Sequence, residues 1–597
     1  MMLLLLLAAS GTAASRTAAS GATADNGATD ASGATAAKAQ LPIWPLPASW
    51  TAGTGTSAVV PSFGLTTATP SAELQAAFAR FRLRAFPRPA AATAATAGPV
   101  GASSTAAAGP SGAVALLTFL AVTVANSSAP LALGVDESYE LAIPASGNAT
   151  LAVATLFGAY HGLETLSQLV AFDFNSEAYS IRNVLPLKIA DKPRFRHRGL
   201  LLDTARHFQP VPALLQVIDS IATAKLNVFH WHISEDQSYP AASRAYPELP
   251  AKGAWSASER YTWRDLQAVV AFGRARGVRV LLELDMPGHA TSWKHSHPEL
   301  FSTGAPSGGS GAAACGVQVD GAPPNVTRAA LDPAKNSTFE FIEGLLADYF
   351  DEDSGAFSDK FVHLGADEVP TGCWNNPTDA AFIKQNQLGD SAGLFSYFVS
   401  RVHAIARSLD KRVVMWDAAF NKGSKPPPKD VVIQLWTCFS DSSCLQLLLQ
   451  IVRAGYDVIV SPDIPWYLNV VEPKDALCNT QWRCIYKYDP AAGMSAQEAA
   501  HVLGGEGALW GETVDASDLL PTLWPRLGAI AERLWSPAVS LEQQGGAMEL
   551  RLRAFRCLLL QRGFGAGPVG DSVGDPSVAP FQRLHGPPGP GSCMQDS

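Results

Sequence analysis

Phe361-Val362-His363-Leu364-Gly365-Ala366-Asp367-Glu368-Val369 is a short apolar run that ends in two small residues and two adjacent carboxylates. Neighbouring side chains in a strand point to opposite faces, so two acids side by side act together only where the alternation has just broken, at the strand's end. Gly365-Ala366 lets the backbone turn there. Outward from this run, strand-length apolar segments recur at Gly199–Asp203, Asn227–Ile233, Val278–Asp285, Phe361–Leu364, Arg412–Trp416, Val431–Trp436, Asp457–Ser461 and Ala508–Trp510. Helix-length amphipathic segments, Val211–Lys225 and Leu266–Arg276 among them, alternate with these runs. That alternation predicts an α/β fold with a parallel sheet. Eight repeats over about 370 residues predict a (β/α)8 TIM barrel.

The residues after each run are polar, charged or aromatic: Arg206, Glu235-Asp236, Asp285 with His289, Asp367-Glu368, Trp416-Asp417, Trp436, Trp466-Tyr467 with Asn469, and Trp510 with Glu512. In such a barrel these ends converge on one active face. Carboxylates, an arginine, a histidine and several large rings suit a neutral sugar. Rings stack on its C–H patches, and charged groups hydrogen-bond its hydroxyls. A phosphate substrate would call for more basic residues and a glycine loop. If Asp367 and Glu368 both ionise they repel, and one keeps its proton to higher pH, as a general acid requires. Retaining glycosidases set acid and nucleophile about 5–5.5 Å apart across the bond. Adjacent residues do not straddle a ring that way, whereas a substrate that carries its own nucleophile removes the need.

The chain has 597 residues, more than one ordinary domain. Residues 1–15, a leucine run followed by small residues, are expected to be a signal peptide, and 16–40 a low-complexity linker. Residues 41–190 form the expected smaller α+β domain, with strands at Val114–Val124 and Tyr139–Ile143 and a helix at Leu156–Phe172; 191–597 carry the barrel and a C-terminal tail. Pro89–Gly112 and Ser302–Asn325 are expected loop insertions. Formal charge is −9, and no basic block suggests nucleic acid. No apolar run is long enough for stable membrane insertion. Eight cysteines suit a secreted chain. Proximity suggests the pairs Cys438–Cys444 and Cys478–Cys484, leaving Cys315–Cys373 and Cys557–Cys593. With glycosylation sequons at Asn126, Asn148, Asn325 and Asn336, these features predict a glycoprotein of the secretory route, extracellular or in a lysosome or vacuole. Oligomeric state stays open, a homodimer included.

The segments Gly162-Leu163-Glu164-Thr165-Leu166-Ser167-Gln168-Leu169, Arg198-Gly199-Leu200-Leu201-Leu202-Asp203-Thr204-Ala205-Arg206-His207, Lys225-Leu226-Asn227-Val228-Phe229-His230-Trp231-His232 and Glu283-Leu284-Asp285-Met286-Pro287-Gly288-His289 make a joint pattern. With the acid pair, Pro465-Trp466-Tyr467-Leu468-Asn469, Trp510-Gly511-Glu512 and Trp524-Pro525-Arg526, it resembles the family-20 glycoside hydrolases, the β-N-acetylhexosaminidases. The resemblance spans about 150–565, with a weaker echo at Trp44-Pro45-Leu46-Pro47, and implies a zincin-like topology for 41–190. It implies removal of terminal GlcNAc or GalNAc without a cofactor. Glu368 is then the general acid and base, and Asp367 orients the 2-acetamido group that attacks C1. Tyr467 hydrogen-bonds the acetamide carbonyl, and Trp416, Trp436 and Trp510 wall its pocket. Arg206 and Glu512 grip hydroxyls, His289 belongs to a network near the acid, and Asn469 contacts hydroxyls near the 6-position.

Three positions depart from the family pattern: Glu235 where aspartate is usual, Ala366 where glycine is usual, and Asp417 where glutamate or glutamine is frequent. Glu235, counted among the substrate-binding residues, reaches about 1.5 Å, one bond, further than aspartate. His230 and His232 share a strand face, as metal-binding pairs do, but the later runs lack a matching ligand set, so both read as hydrogen-bonded barrel interior and no metal is expected. Cys373, near the acid pair, would be a nucleophile only if it were unpaired.

Overall fold

The computed structural model describes residues 41–90, 116–302, 315–319, 321–322, 326–438, 441–469, 482–542 and 547–569. The expected leader and linker, most of both loop insertions, Asn325, Cys478 and Cys593 lie outside the described residues.

The first layer is a mixed sheet of β1 (Ser49–Thr67), β2 (Leu116–Asn126), β3 (Tyr139–Ile143), β4 (Ala149–Thr155), β5 (Ala171–Asp173) and β6 (Ala178–Asp191). Its order is β1-β2-β4-β3-β6-β5, and β1 also pairs antiparallel with β6. Two helices accompany it, α1 (Ala72–Ala85) and α2 (Leu156–Leu169), capped by the Ser71 and Thr155 hydroxyls. The helix expected to reach Phe172 stops at Leu169: Val170 turns extended, and Phe172 pairs with Tyr179 across the edge of the sheet. The strand expected at Val114–Val124 runs on to Asn126. The long β1 was not legible, because its residues are mostly Thr, Ser, Gly and Ala and its order comes from two partner strands.

A closed barrel of eight parallel strands follows, β7 (His197–Asp203), β8 (Val228–His232), β9 (Arg279–Met286), β10 (Phe361–Gly365), β11 (Arg412–Trp416), β12 (Val432–Leu435), β13 (Val458–Val460) and β14 (Val502–Leu509). Seven coincide with expected runs, and the eighth overlaps its run only at Ala508-Leu509. Strands β7, β9 and β14 are buried at every position, as in a parallel sheet covered on both faces. The last strand begins at Val502, ahead of the expected Ala508, because Gly504-Gly505-Glu506-Gly507 reads as a loop. Gly504 has φ +146°, and a Cβ there would lie 1.8 Å from the His197 carbonyl oxygen, so strand contact demands glycine. The outer helices include α3 (Val211–Thr223) and 263–274, the latter closed by a Thr262/Asp265 capping box.

A polar seam joins sheet and barrel. Glu137 accepts from Arg198 Nη2 at 2.7 Å and meets His161 Nε2 at 2.9 Å, and Lys225 Nζ donates to Asp191 at 3.0 Å. The helix 526–535 delivers Trp535 into the core of the small domain. Disulfides link Cys315 to Cys373 and Cys438 to Cys444, two of the expected pairs, which removes Cys373 as a nucleophile. No helix among the described residues is long and apolar enough to cross a membrane.

Candidate active site

The acid pair sits where β10 ends. Gly365 has φ +60°, Ala366 +79° and Glu368 +40°, and His289 across the cleft has +49°. Non-glycine residues in this left-handed region gather at sites where surrounding contacts hold them. Here Asp285 does the holding: a Cβ on Gly365 would lie 1.6 Å from its Oδ1, and Ala366 N donates to the same oxygen at 3.1 Å. The Ala366 methyl is accommodated, fully buried. The reversed backbone leaves Asp367 buried, while the Glu368 side chain stays 38% exposed at the mouth. His289 Nε2 stands 3.7 Å from Glu368 Oε2 and 3.9 Å from Asp367 Oδ2.

An ion chain approaches from the other side. Asp203, at the end of β7, accepts from Arg206 Nη1 at 3.0 Å and from Gly511 N at 2.9 Å. Arg206 Nη2 donates to Glu235 Oε1 at 2.5 Å, and the same oxygen lies 2.5 Å from His289 Nδ1. The longer Glu235 therefore reaches both partners. Burial alone would raise the Glu235 carboxyl, but Arg206 and His289 pull it well below the ordinary carboxylate range. Burial opposes charge on His289 too, yet Glu235, Asp285 and Asp367 lift it well above the ordinary imidazole range. Both groups stay charged from acid to neutral pH. Glu512, whose side chain is half exposed, stands 3.7 Å from Arg206 Nη1.

Four rings complete the mouth. Trp416 ends β11, Trp436 follows β12, Tyr467 follows β13 and Trp510 follows β14. Trp436 and Tyr467 lie nearly parallel at 6.5 Å; Trp510 is 5.9 Å from both Tyr467 and Trp416. Arg206 lies over the Trp510 ring at 5.2 Å, which joins the ion chain to the cage. Asp367 Oδ1, Trp436 Nε1 and Asn469 Oδ1 are buried and have no hydrogen-bond partner among the described residues. Polar atoms left in that state favour a ligand that supplies both donors and acceptors. Asp417, behind Trp416, accepts from the Thr437 hydroxyl at 3.0 Å, and burial pushes its carboxyl up to about 7.

Beneath the cage the barrel interior is ionic. Glu283 Oε2 meets His232 Nδ1 at 2.7 Å and His230 Nε2 at 3.0 Å, and Glu283 Oε1 accepts from Trp416 Nε1 at 2.9 Å. Glu506 meets His230 Nδ1 at 2.8 Å and His197 Nε2 at 2.5 Å. Despite burial, the two glutamates push His230 up to about 9, and Glu283 and Glu235 hold His232 well above its ordinary value. Two imidazolium charges thus balance two carboxylates, and the reading of both histidines as bonded interior agrees. His230, Glu283 and His363 bring ligand atoms within 4.8 Å of one another, as do Glu235, Asp236 and His289, and Asp285, His289 and Asp367. In each set a histidine already carries a proton held by carboxylates, and a cation would have to displace it. Glu283→Gln removes the charged acceptor of the Trp416 indole and leaves buried imidazolium underpaired. It is expected to cost about 3–5 kcal/mol of stability, read by urea unfolding.

Sequence reasoning singled out the residues after the strands, and the structure brings Arg206, Glu235, His289, Asp367, Glu368, Trp416, Trp436, Tyr467, Asn469, Trp510 and Glu512 to one end of the barrel. It missed Asp203, Glu283, Asp285 and Glu506 as supports. For Glu283 a signal existed: a charge within the otherwise apolar run Val280-Leu281-Leu282-Glu283-Leu284.

The profile of the glycosyl hydrolase family 20 catalytic domain matches residues 195–538, and a "beta-acetyl hexosaminidase like" profile matches 43–169. The chain is 38% identical over 489 residues to beta-hexosaminidase 3 of Arabidopsis thaliana, covering 81% of this chain and 82% of that one. It is 37% identical over 469 residues to the beta-hexosaminidase subunit beta of Felis catus, covering 77% and 81%. The X-ray structure of a Flavobacterium johnsoniae chitobiase aligns with TM-score 0.69 at 26% identity, over 88% of this chain and 73% of that one. Catalytic profile, small-domain profile and barrel all agree: the chain belongs to glycosyl hydrolase family 20 and is an enzyme of its β-N-acetylhexosaminidase group.

Proposed function

We propose that the enzyme removes terminal, non-reducing β-linked GlcNAc or GalNAc from glycans or chitooligosaccharides, with retention, by letting the substrate's own 2-acetamido group attack. The acetamide oxygen forms a bond to C1 as the C1–O bond to the leaving sugar breaks and Glu368 gives its proton to that oxygen. An oxazolinium results. Asp367 orients the acetamido N–H and faces the positive charge that develops on it. Water then adds to C1 and returns the acetamide, and Glu368 takes the water's proton.

The observation that carries this reading is the unequal setting of the adjacent acids: Glu368 open at the mouth, Asp367 buried and close enough to Tyr467 for its charge to be felt there. Among the described residues, no second carboxylate at the mouth is free to act as a nucleophile. Glu235 and Asp203 are tied to Arg206, Asp285 braces the acid-pair turn, and Glu512 stands beside Arg206. A nucleophile held within the substrate gains an effective molarity worth about 7–11 kcal/mol in favourable cases. Trp416, Trp436, Tyr467 and Trp510 then enclose the acetamide, Arg206 and Glu512 hold hydroxyls, and Asn469 faces the 6-position. The disulfides, the apolar leader sequence and the sequons support a secretory route to the extracellular space or to a lysosome or vacuole.

The experiment compares nitrophenyl β-glucosaminide, N-acetylated, with the matching nitrophenyl β-glucoside, which has a hydroxyl at C2. The glucoside is expected to turn over at least about 10⁴-fold more slowly, because the attacking atom is gone. Comparable rates on the two would overturn the reading.

A further inference from the structure

A charged cavity lies at the seam between the small domain and the barrel. It holds about 40 Å³ and is lined by Arg80, Arg84, Tyr160, His161, Glu164, Ser167 and Arg276, with apolar side chains closing the rest. Helix α1 brings Arg80 and Arg84, α2 brings Tyr160 and Glu164, and Arg276 comes from the turn before β9. Arg562, in the turn after the C-terminal helix 547–561, reaches Glu164 and the Ser167 hydroxyl.

The charges do not balance. Among the described residues, four guanidinium groups face two carboxylates. Arg84 Nη1 lies 3.1 Å from Glu164, and its Nη2 lies 2.7 Å from Asp219. Arg276 Nε takes the same Asp219 oxygen at 2.5 Å, and Arg562 Nη1 takes Glu164 Oε1 at 2.7 Å. Arg80 has no carboxylate ion pair among the described residues: it donates to the Ala275 carbonyl at 2.5 Å and lies over the Tyr160 ring at 5.8 Å. Glu137, on the far side of His161, is already taken by Arg198. Two positive charges are left over around a partly dehydrated cavity. Burial and then Arg276 lower Arg80, and burial lowers Arg276 although its Asp219 partner opposes the shift.

We infer that this cavity is a binding site for a tetrahedral oxyanion, of the size and charge of inorganic phosphate or sulfate, that clips α1 and α2 of the small domain to the barrel. Guanidinium forks match such oxygens in geometry and charge, and the Tyr160 hydroxyl adds a further donor, whereas the Ser167 hydroxyl is already given to the Glu164 carbonyl. The volume exceeds the roughly 10–15 Å³ that one water needs, leaving room for a compact ion. This inference is independent of the proposed hydrolysis.

The test is isothermal titration of the full chain with sodium phosphate at constant ionic strength, with a saturating thiazoline-type inhibitor present so that the catalytic mouth is occupied. One site with Kd below about 1 mM is expected. Arg80→Gln is expected to weaken it at least tenfold while hydrolysis of nitrophenyl-GlcNAc stays at the wild-type rate. Sulfate should compete with phosphate. If Arg80→Gln does not fold, Arg276→Lys is read in the same way, because it shortens a fork while keeping charge. Absence of binding to wild type, undiminished binding by the folded variant, or binding of chloride alone would each overturn the inference.

Discussion

Glu368→Gln is expected to lower kcat/KM on a natural GlcNAc-terminated glycan about 10³-fold, a loss of about 4 kcal/mol of transition-state stabilisation. The glutamine amide cannot give a proton to the leaving oxygen, and a sugar alkoxide is a poor leaving group without one. On a dinitrophenyl glycoside, whose leaving group needs no proton, the loss should shrink by at least about tenfold. The fold should be indifferent. The Glu368 side chain is 38% exposed, and its nearest charged partner, His289 Nε2, is 3.7 Å away. Unfolding midpoints should therefore coincide for variant and wild type. A variant that retained the full rate on the glycan would remove Glu368 from its assigned role.

Asp367→Asn is expected to cost about 10²–10³-fold in kcat with KM little changed, the mark of an interaction made chiefly in the transition state. The amide keeps the shape of the carboxylate but loses the charge that faces the developing oxazolinium. It also presents an NH2 group where the acetamido N–H needs an acceptor. Asp285 supplies an independent readout. Burial and the facing Asp367 charge hold its carboxyl well above the ordinary range. With Asp367 neutral, the Asp285 titration should move down, followed by infrared difference spectroscopy of the protonated carboxyl. An unchanged kcat in Asp367→Asn would sink the proposal that the acetamide is steered by this residue.

The expected strand positions were legible because parallel barrel strands are buried on both faces and so read as unbroken apolar runs. The acid pair stood out for the opposite reason, charge placed at the end of such a run. Helix α2 was legible up to its last turn. Its end was not, because Phe172 is recruited by Tyr179 on β6, a partner seven residues further along that no local pattern announces. The start of β14 was hidden by glycines whose purpose is to pass close to His197. Among the site supports, Asp203 and Asp285 were visible only as strand-end acids. Their work on Gly511 N and Ala366 N depends on backbone groups brought from other strands.

Residue order alone established the barrel, its polar and aromatic rim and the class of chemistry, since periodicity and residue type are local properties. Which acid is open and which is enclosed, how Glu235 spans Arg206 and His289, and why a tryptophan of the rim rests on Glu283 emerged from closure of the barrel. So did the four arginines gathered at the domain seam. Those facts are distances between groups far apart along the chain, and burial and charge pairing take their values only once the distances exist.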